Sequence, residues 1–313
     1  MNKQIVILGS INYDITASAE RLPVRGETVS ATSVDMFGGG KGANQAVQSA
    51  QMAIPTTMIG QVGNDMQGKA VLEALKSKGI DCSRLHISET NRTGCASIYI
   101  DPNGDNMLAY APGANHHITK EMIDNGLDII RQASVFLTQT EINLDAALYG
   151  LKLAHEAGAI TILNPAPAIS LPDEIFPLVD FITPNETESE VYTGILRSEM
   201  PIEDWKQRTA EWFISRGVKN LCITMGEKGA FYSNGTESIS VPAFSIKAVD
   251  TTAAGDSFHG GLAYGLANGY DMKTCLLLGS ACGALSAMTL GAQNSIQPKE
   301  RVLAFLKEQG III

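Results

Sequence analysis

A doubly wound α/β fold, a mostly parallel sheet with helices on both faces, is predicted for this chain by three observations. Apolar runs of strand length recur along its 313 residues. Many are followed by a segment whose apolar residues repeat with helical spacing, and polar, glycine-containing turns stand where strand gives way to helix. Such alternation builds parallel strands joined by crossover helices. Two stretches lack the intervening helix and are expected to pair as a small separate β-sheet, a lid over a pocket or a contact between two copies. The whole chain, residues 1–313, reads as one unit without a long linker or repeat, its lid strands lying within 11–37 and 94–112.

The first strand, Gln4–Gly9, is carried by Ile5-Val6-Ile7-Leu8, apolar on both faces as a buried parallel strand requires. Ile11–Ser18 and Thr28–Phe37 form the first hairpin-like pair, and helical spacing follows over Ala43–Ala53. A strand at Thr56–Ile59 leads to a helix at Gly68–Lys78. The second hairpin-like pair, Cys95–Ile100 and Asn106–Ala111, flanks a turn at Pro102-Asn103-Gly104-Asp105. Strands at Val135–Thr138, Ala159–Leu163, Phe181–Thr183, Leu221–Thr224 and Phe231–Ser233 then alternate with helices at Thr119–Arg131, Leu144–Ala157, Glu186–Thr193 and Ile202–Ser215. Phe244–Val249 reads as one more strand, and Asp256–Asn268, Lys273–Leu290 and Lys299–Glu308 as the closing helices.

Composition narrows the function. An apolar fraction of 44% supports a full core, and a formal net charge of −10 with no basic cluster argues against nucleic acid as a partner. The five cysteines are scattered without metal-ligand or CxxC spacing and read as reduced thiols. No apolar run has membrane-spanning length and no signal segment precedes the first strand, so a cytoplasmic protein without membrane partners is expected.

The densest chemical signal is Asp250-Thr251-Thr252-Ala253-Ala254-Gly255-Asp256-Ser257-Phe258. Small residues at a helix start leave backbone N–H groups facing outward, where the helix dipole favours an anion. A carboxylate beside an anion hole either caps the helix or takes a proton from an attacking hydroxyl. Gly38-Gly39-Gly40-Lys41-Gly42-Ala43-Asn44-Gln45 lacks the Lys-Ser/Thr of a P-loop, yet its glycines allow close backbone approach, with Lys41 and Asn44 as donors. Asn12 and Asp14 share one strand face and suit vicinal hydroxyls, unless they are edge-strand polar groups. Asn164-Pro165-Ala166-Pro167, Thr183-Pro184-Asn185-Glu186-Thr187-Glu188 and Thr224-Met225-Gly226 follow apolar strands, at the carboxyl edge where α/β sheets bind ligands. Asn185 and Glu188 have capping-box spacing, and Glu188 is alternatively placed to hold waters around Mg2+. The histidines have no metal-ligand spacing, His116 and His117 pointing apart as on a strand. Neither G-x-S-x-G nor G-x-G-x-x-G is present, which disfavours hydrolase and dinucleotide chemistry.

In this order the motifs resemble the ribokinase-like carbohydrate kinases over nearly the whole chain, nearest to the ribokinases of that family through Gly9-Ser10-Ile11-Asn12-Tyr13-Asp14, Gly42-Ala43-Asn44-Gln45-Ala46, Asn164-Pro165-Ala166-Pro167-Ala168 and Ala253-Ala254-Gly255-Asp256. The resemblance implies ATP-dependent phosphorylation of the primary hydroxyl of a pentose, D-ribose first, with 2-deoxyribose, another sugar or a nucleoside as alternatives and a non-catalytic sugar-binding protein further behind. It implies Asp256 as base, an anion hole at Ala253, Ala254 and Gly255, and sugar contacts at Asn12, Asp14, Gly40, Lys41, Asn44 and Glu141. Nucleotide contacts fall on Asn185, Thr224, Gly226 and Gly255, with Glu188 reaching Mg2+ through water. A potassium site is implied at Asp250, Thr252, Ser286, Thr289, Gly291 and Ser295, and a homodimer through the lid. Tyr110 stands where the family usually has a smaller aliphatic residue facing the sugar.

Overall fold

The computed structural model describes residues 3–103 and 105–313. The chain opens with β1 (Ile5–Leu8), β2 (Asn12–Ala19), β3 (Ala31–Gly39), α1 (Lys41–Gln51), β4 (Thr56–Gly63), α2 (Met66–Ser77) and β5 (Asp81–Ser88). There follow β6 (Cys95–Ile100), β7 (Asn106–Ala111), α3 (Lys120–Asp124), α4 (Leu127–Ile130), β8 (Val135–Gln139), α5 (Leu144–Glu156), β9 (Ile160–Asn164) and β10 (Phe181–Ile182). The remainder is α6 (Glu186–Thr193), α7 (Ile202–Ile214), β11 (Asn220–Thr224), β12 (Ala230–Ser233), β13 (Ser238–Val241), α8 (Ala254–Ala267), α9 (Met272–Ala287) and α10 (Lys299–Glu308).

Nine strands form the main sheet in the order β13-β12-β11-β10-β9-β8-β1-β4-β5. The pairs from β11 through β5 are parallel, and β12 and β13 add an antiparallel edge. The pleat of β1 shows why both sides are covered. Ile5 and Ile7 join one core with α1, α8 and α9, whereas Val6 and Leu8 join a second core with α5 and α7. The chain leaves β1 toward β4 and β5 on one side and later builds β8 to β11 on the other. The reversal between β1 and β8 opens a crevice at their carboxyl ends, where such sheets bind ligands. The lid is a second sheet, β3-β2-β6-β7, in which two antiparallel hairpins join through the parallel pair β2–β6.

Several boundaries differ from the sequence expectations. Residues 244–249 form no strand. They follow β13 as irregular chain, with Phe244 against Phe305 at 5.0 Å between ring centres and Val249 exposed. The helix expected over 119–131 is two short helices parted at Asn125-Gly126, where glycine lowers helix propensity. His116 and His117 lie in a 3-10 turn, exposed. The edge strand β5 was not expected because Asp81, Arg84 and His86 break its apolar pattern, and the short β13 also escaped notice. The turn expected at 102–105 includes Gly104, outside the described residues. Among the described residues no helix is long and apolar enough to cross a membrane.

The main body and the site meet where β1 ends against the start of α1. A Cβ on Gly42 would lie 2.7 Å from the Cα and carbonyl carbon of Gly9 and from Ser10 N, all backbone atoms. Gly42→Ala is therefore expected to lower stability by about 1–3 kcal/mol through overpacking. A urea midpoint equal to the unsubstituted protein's would contradict this account of the contact.

Candidate active site

At the crevice between β1 and β8, Ser10 Oγ donates a hydrogen bond to the Glu141 carboxylate, and the Lys41 backbone N–H donates to the same carboxylate at 3.0 Å. Gly40 makes this corner with φ +89°, and a Cβ there would meet Ser10 O at 2.7 Å and Asn12 N at 2.8 Å. Neither condition suits another residue. Asn12 is buried, its side-chain oxygen accepting from Asn115 Nδ2 at 2.8 Å, while Asn115 Oδ1 accepts from Ile11 N at 2.9 Å. Asp14 accepts from Ala96 N across the lid at 3.2 Å. Burial lifts its carboxyl to about 6, against the Ala96 N–H that favours the charge and with the help of the negative Glu141.

Asp256 is buried in the first turn of α8. Its two oxygens accept from Asn44 Nδ2 at 2.9 Å and Gln45 Nε2 at 3.1 Å, both from α1. Burial pushes its pKa above the usual carboxylate range, although the Lys41 ammonium and the two amides favour ionisation. The helix starts two residues earlier than the sequence suggested, with Ala253 as N-cap in the left-handed region at φ 61°. A non-glycine residue there carries strain of order 1–3 kcal/mol, typical of functional turns. Ala254 N–H turns back to Thr251 O at 3.2 Å, and Ser257 N–H reaches Ala253 O at 2.8 Å. The intervening Gly255 and Asp256 N–H groups belong to the first helical turn, which has no intrahelical acceptors. A Cβ on Gly255 would meet nothing within 4 Å, so this N-terminus faces open space.

That space is a cleft of about 1010 Å³ whose lining includes Asn185, Thr224, Gly226, Ala254 and Gly255 together with Phe244, Ile246 and Ala284. Polar strand ends and apolar side chains thus share one cleft, which suits a ligand with an apolar part and an anionic tail. Asn185 pairs with Thr224 as an isolated bridge, and Gly226 turns with φ +53°. Asn185 and Glu188 form a reciprocal capping box, Asn185 N to Glu188 Oε2 and Glu188 N to Asn185 Oδ1, each at 2.8 Å. Burial raises the Glu188 pKa against the Asn185 N–H and the Lys41 charge, with Asp256 adding to the rise. Burial works to lower the Lys41 pKa, but Asp256, Glu141 and Glu188 together hold it above the ordinary lysine value.

The residues expected around a monovalent cation lie in the loop before α8, in the last turn of α9 and in the loop that follows it. Asp250 accepts from Thr252 N and from Gly291 N, each at 2.9 Å, which ties the loops together. Partial burial opposes its charge, yet these bonds hold its pKa below the usual value. Ser286 and Ser295 hydroxyls are buried 2.7 Å apart, and Thr289 N–H donates to Ser286 O at 3.1 Å. One carboxylate, several hydroxyls and turn carbonyls make an all-oxygen donor set, which fits a hard cation.

The structure thus gathers the expected sugar positions at the crevice, the nucleotide positions along the cleft, and the cation positions behind the first turn of α8. Four further residues were not singled out. Ser10 and Asn115 shape the crevice, Gln45 holds Asp256, and Gln139 Nε2 in turn holds Gln45 Oε1 at 2.6 Å. His259 is buried one turn after Asp256 with Nε2 3.4 Å from Thr183 O. Burial drives it down to about 4, so its imidazole is neutral at physiological pH. Gln45 directly follows Asn44 in the glycine-rich segment and Ser10 lies in the motif after the first strand, so these two had a sequence signal.

Known proteins resemble this chain in sequence and in fold. The profile described as pfkB family carbohydrate kinase matches residues 2–300. A ribokinase of Haemophilus influenzae is 35% identical over 307 residues, covering 98% of this chain and 99% of the relative. A deoxyribokinase of Salmonella typhi is 31% identical over 305 residues, covering 96% and 98%. The structure of Arabidopsis thaliana ribokinase complexed with ribose and ATP superposes with a TM-score of 0.91 at 32% identity, covering 98% of this chain and 99% of that one. With a family profile spanning nearly its whole length and full-length relatives on both counts, the chain belongs to the pfkB family of carbohydrate kinases.

Proposed function

We propose that the chain, acting as one unit in the cytoplasm, transfers the γ-phosphoryl group of ATP to the primary hydroxyl of D-ribose, giving D-ribose 5-phosphate and ADP. The observation that carries this reading is the position of one helical turn. The first turn of α8 lines the nucleotide cleft with Ala254 and Gly255 and turns the Asp256 carboxylate, held by Asn44 and Gln45, toward the crevice. Relatives named ribokinase support the substrate, and the deoxyribokinase relative makes 2-deoxyribose the second candidate. Five unpaired cysteines, four of them buried, agree with a reducing compartment.

In this reading Asn12, Asp14, Gly40, Lys41, Asn44 and Glu141 hold the sugar so that its primary hydroxyl meets Asp256. Asp256 accepts the hydroxyl proton as the oxygen bonds to phosphorus and the bond to the leaving ADP oxygen breaks. The turn at Ala253, Ala254 and Gly255 receives the negative charge on the transferring group through the Gly255 N–H and the dipole of the first turn, the Ala254 N–H being taken by Thr251 O. Asn185, Thr224 and Gly226 position the nucleotide. Mg2+, reached through water by Glu188, would neutralise phosphate charge, and K+ held by Asp250, Thr252, Ser286, Thr289, Gly291 and Ser295 would stiffen the turn that presents the anion hole.

The pleat of the lid separates two faces. Tyr110 and Asp14 lie toward the body, while the opposite face exposes Val34 (55%), Met36 (56%), Tyr99 (43%) and Met107 (50%). Four large apolar residues on one face of a small sheet suit association with a second copy. We expect the protein to run as a dimer in light scattering and Met36→Glu to shift it to monomer. A wild-type monomer would remove the lid dimer.

ADP release measured over free sugars and nucleosides with Mg2+ is expected to be greatest with D-ribose and to rise on adding potassium. Asp256→Asn should lower kcat by roughly two to four orders of magnitude while leaving the thermal midpoint little changed. No turnover on any free sugar, or near-normal turnover of the variant, would reject the reading. Asp14 accepts sugar hydroxyls best when ionised, so KM for the sugar should rise as pH falls through about 6. Asp14→Asn should flatten that dependence, and an unchanged profile in the variant would assign the titration elsewhere.

A further inference from the structure

Tyr110 is a large side chain among the short Asn12, Asp14 and Ala96 on the lid side of the crevice. It lies on β7 directly opposite Ala96 of β6, whose N–H holds Asp14. Gly39 and Gly40 line the same corner. A Cβ on Gly39 would collide with the Asp14 carboxylate. From the lid, the Tyr110 hydroxyl reaches the backbone carbonyl of Glu141 in the body at 3.4 Å. The Asn115 and Asn12 side chains face the same phenol, and burial, reinforced by the Glu141 charge, raises its pKa. The ring therefore spans the gap between lid and body across the groups assigned to sugar hydroxyls.

We propose that Tyr110 is a specificity-determining residue. Its ring closes the lid side of the sugar crevice and turns away sugars that carry an extra hydroxymethyl group, and its hydroxyl bridges the lid to the body at Glu141. This rests on the sugar-kinase reading above. Asp256 fixes where the reacting hydroxyl sits in the body, so bulk elsewhere on the sugar must be accommodated toward the lid. An aromatic ring of two rotatable bonds, held at its far end by a hydrogen bond, gives way less readily than an aliphatic chain. A close-packed wall distinguishes substrates by about tenfold or more for each extra carbon group.

The test compares kcat/KM for D-ribose and for D-fructose, a hexose with a furanose form, in the wild type and in Tyr110→Ala, Tyr110→Ile and Tyr110→Phe. The wild type is expected to favour ribose. Tyr110→Ala and Tyr110→Ile should each raise the fructose-to-ribose ratio about tenfold or more. Tyr110→Phe keeps the ring, so its ratio should stay near wild type while KM for ribose rises. The ratio needs no variant to be informative at first: a wild type that uses both sugars equally overturns the role of Tyr110 while leaving the kinase reading intact. An unchanged ratio in Tyr110→Ala or Tyr110→Ile, with ribose still turned over, does the same. A wild type that phosphorylates no free sugar overturns both, before any substitution is made.

Discussion

The site depends on Lys41, an ammonium set among the carboxylates of Asp256, Glu141 and Glu188. Three carboxylates near one another repel, and burial disfavours the charge on Asp256 and Glu188. The lysine offsets part of that cost, and the carboxylates in return keep it protonated. None of the four is a sequence neighbour of another, so the cluster exists only because the backbone carries them to one place. Gly260 lets α8 lie against α1, since a Cβ there would be 2.6 Å from Gln48 Cβ and 3.0 Å from Ser49 N. The sign of the linkage follows from the raised carboxyl pKa values. Ionising Asp14, Asp256 and Glu188 costs the folded state more than the unfolded chain, so these groups lower stability as pH rises from the ordinary carboxylate range through their folded values. Chemistry is placed here at the expense of stability, and the doubly covered sheet supplies the surplus.

The division of labour between sheet and helices explains how two ligands can meet. The strand ends of β1 and β8 shape the crevice through Ser10 and Glu141, and those of β10 and β11 present Asn185 and Thr224 to the cleft. The amino end of α8 lines the cleft with Ala254 and Gly255, and in the proposed reading its dipole would face the reacting centre. His259, neutral and buried one turn further on, reaches the Thr183 carbonyl at the end of β10 and so ties this helix to the nucleotide side.

Much of this was legible in the chain, for physical reasons that also mark where legibility ended. Buried parallel strands announce themselves because both faces are apolar, as in Ile5-Val6-Ile7-Leu8. The edge strand β5 did not, because Asp81, Arg84 and His86 keep one side in water. Residues 244–249 mimicked a strand because Phe244 and Ile246 alternate inward, yet they line a cleft wall rather than pair with a neighbour. Asp256 stood out against the small residues around it. Gln45, Asn115 and Ser10 act across 211, 104 and 131 residues of sequence, and a glutamine, asparagine or serine carries no sign of such a partner until the fold closes. The left-handed Ala253 was equally silent, since alanine does not advertise a positive φ as glycine does.

The pleat of the lid has a consequence for how this protein can vary. Along β2, β6 and β7 the residues Asn12, Asp14, Ala96 and Tyr110 share parity and look inward, while Tyr99 and Met107, of the other parity, look outward. In the proposed reading, ligand choice and self-association would fall largely on alternate residues of the same strands. Substitutions at one parity can drift without disturbing the other. Insertion or loss of a single residue within one of these strands would exchange its two faces at once, a larger change than any single substitution makes.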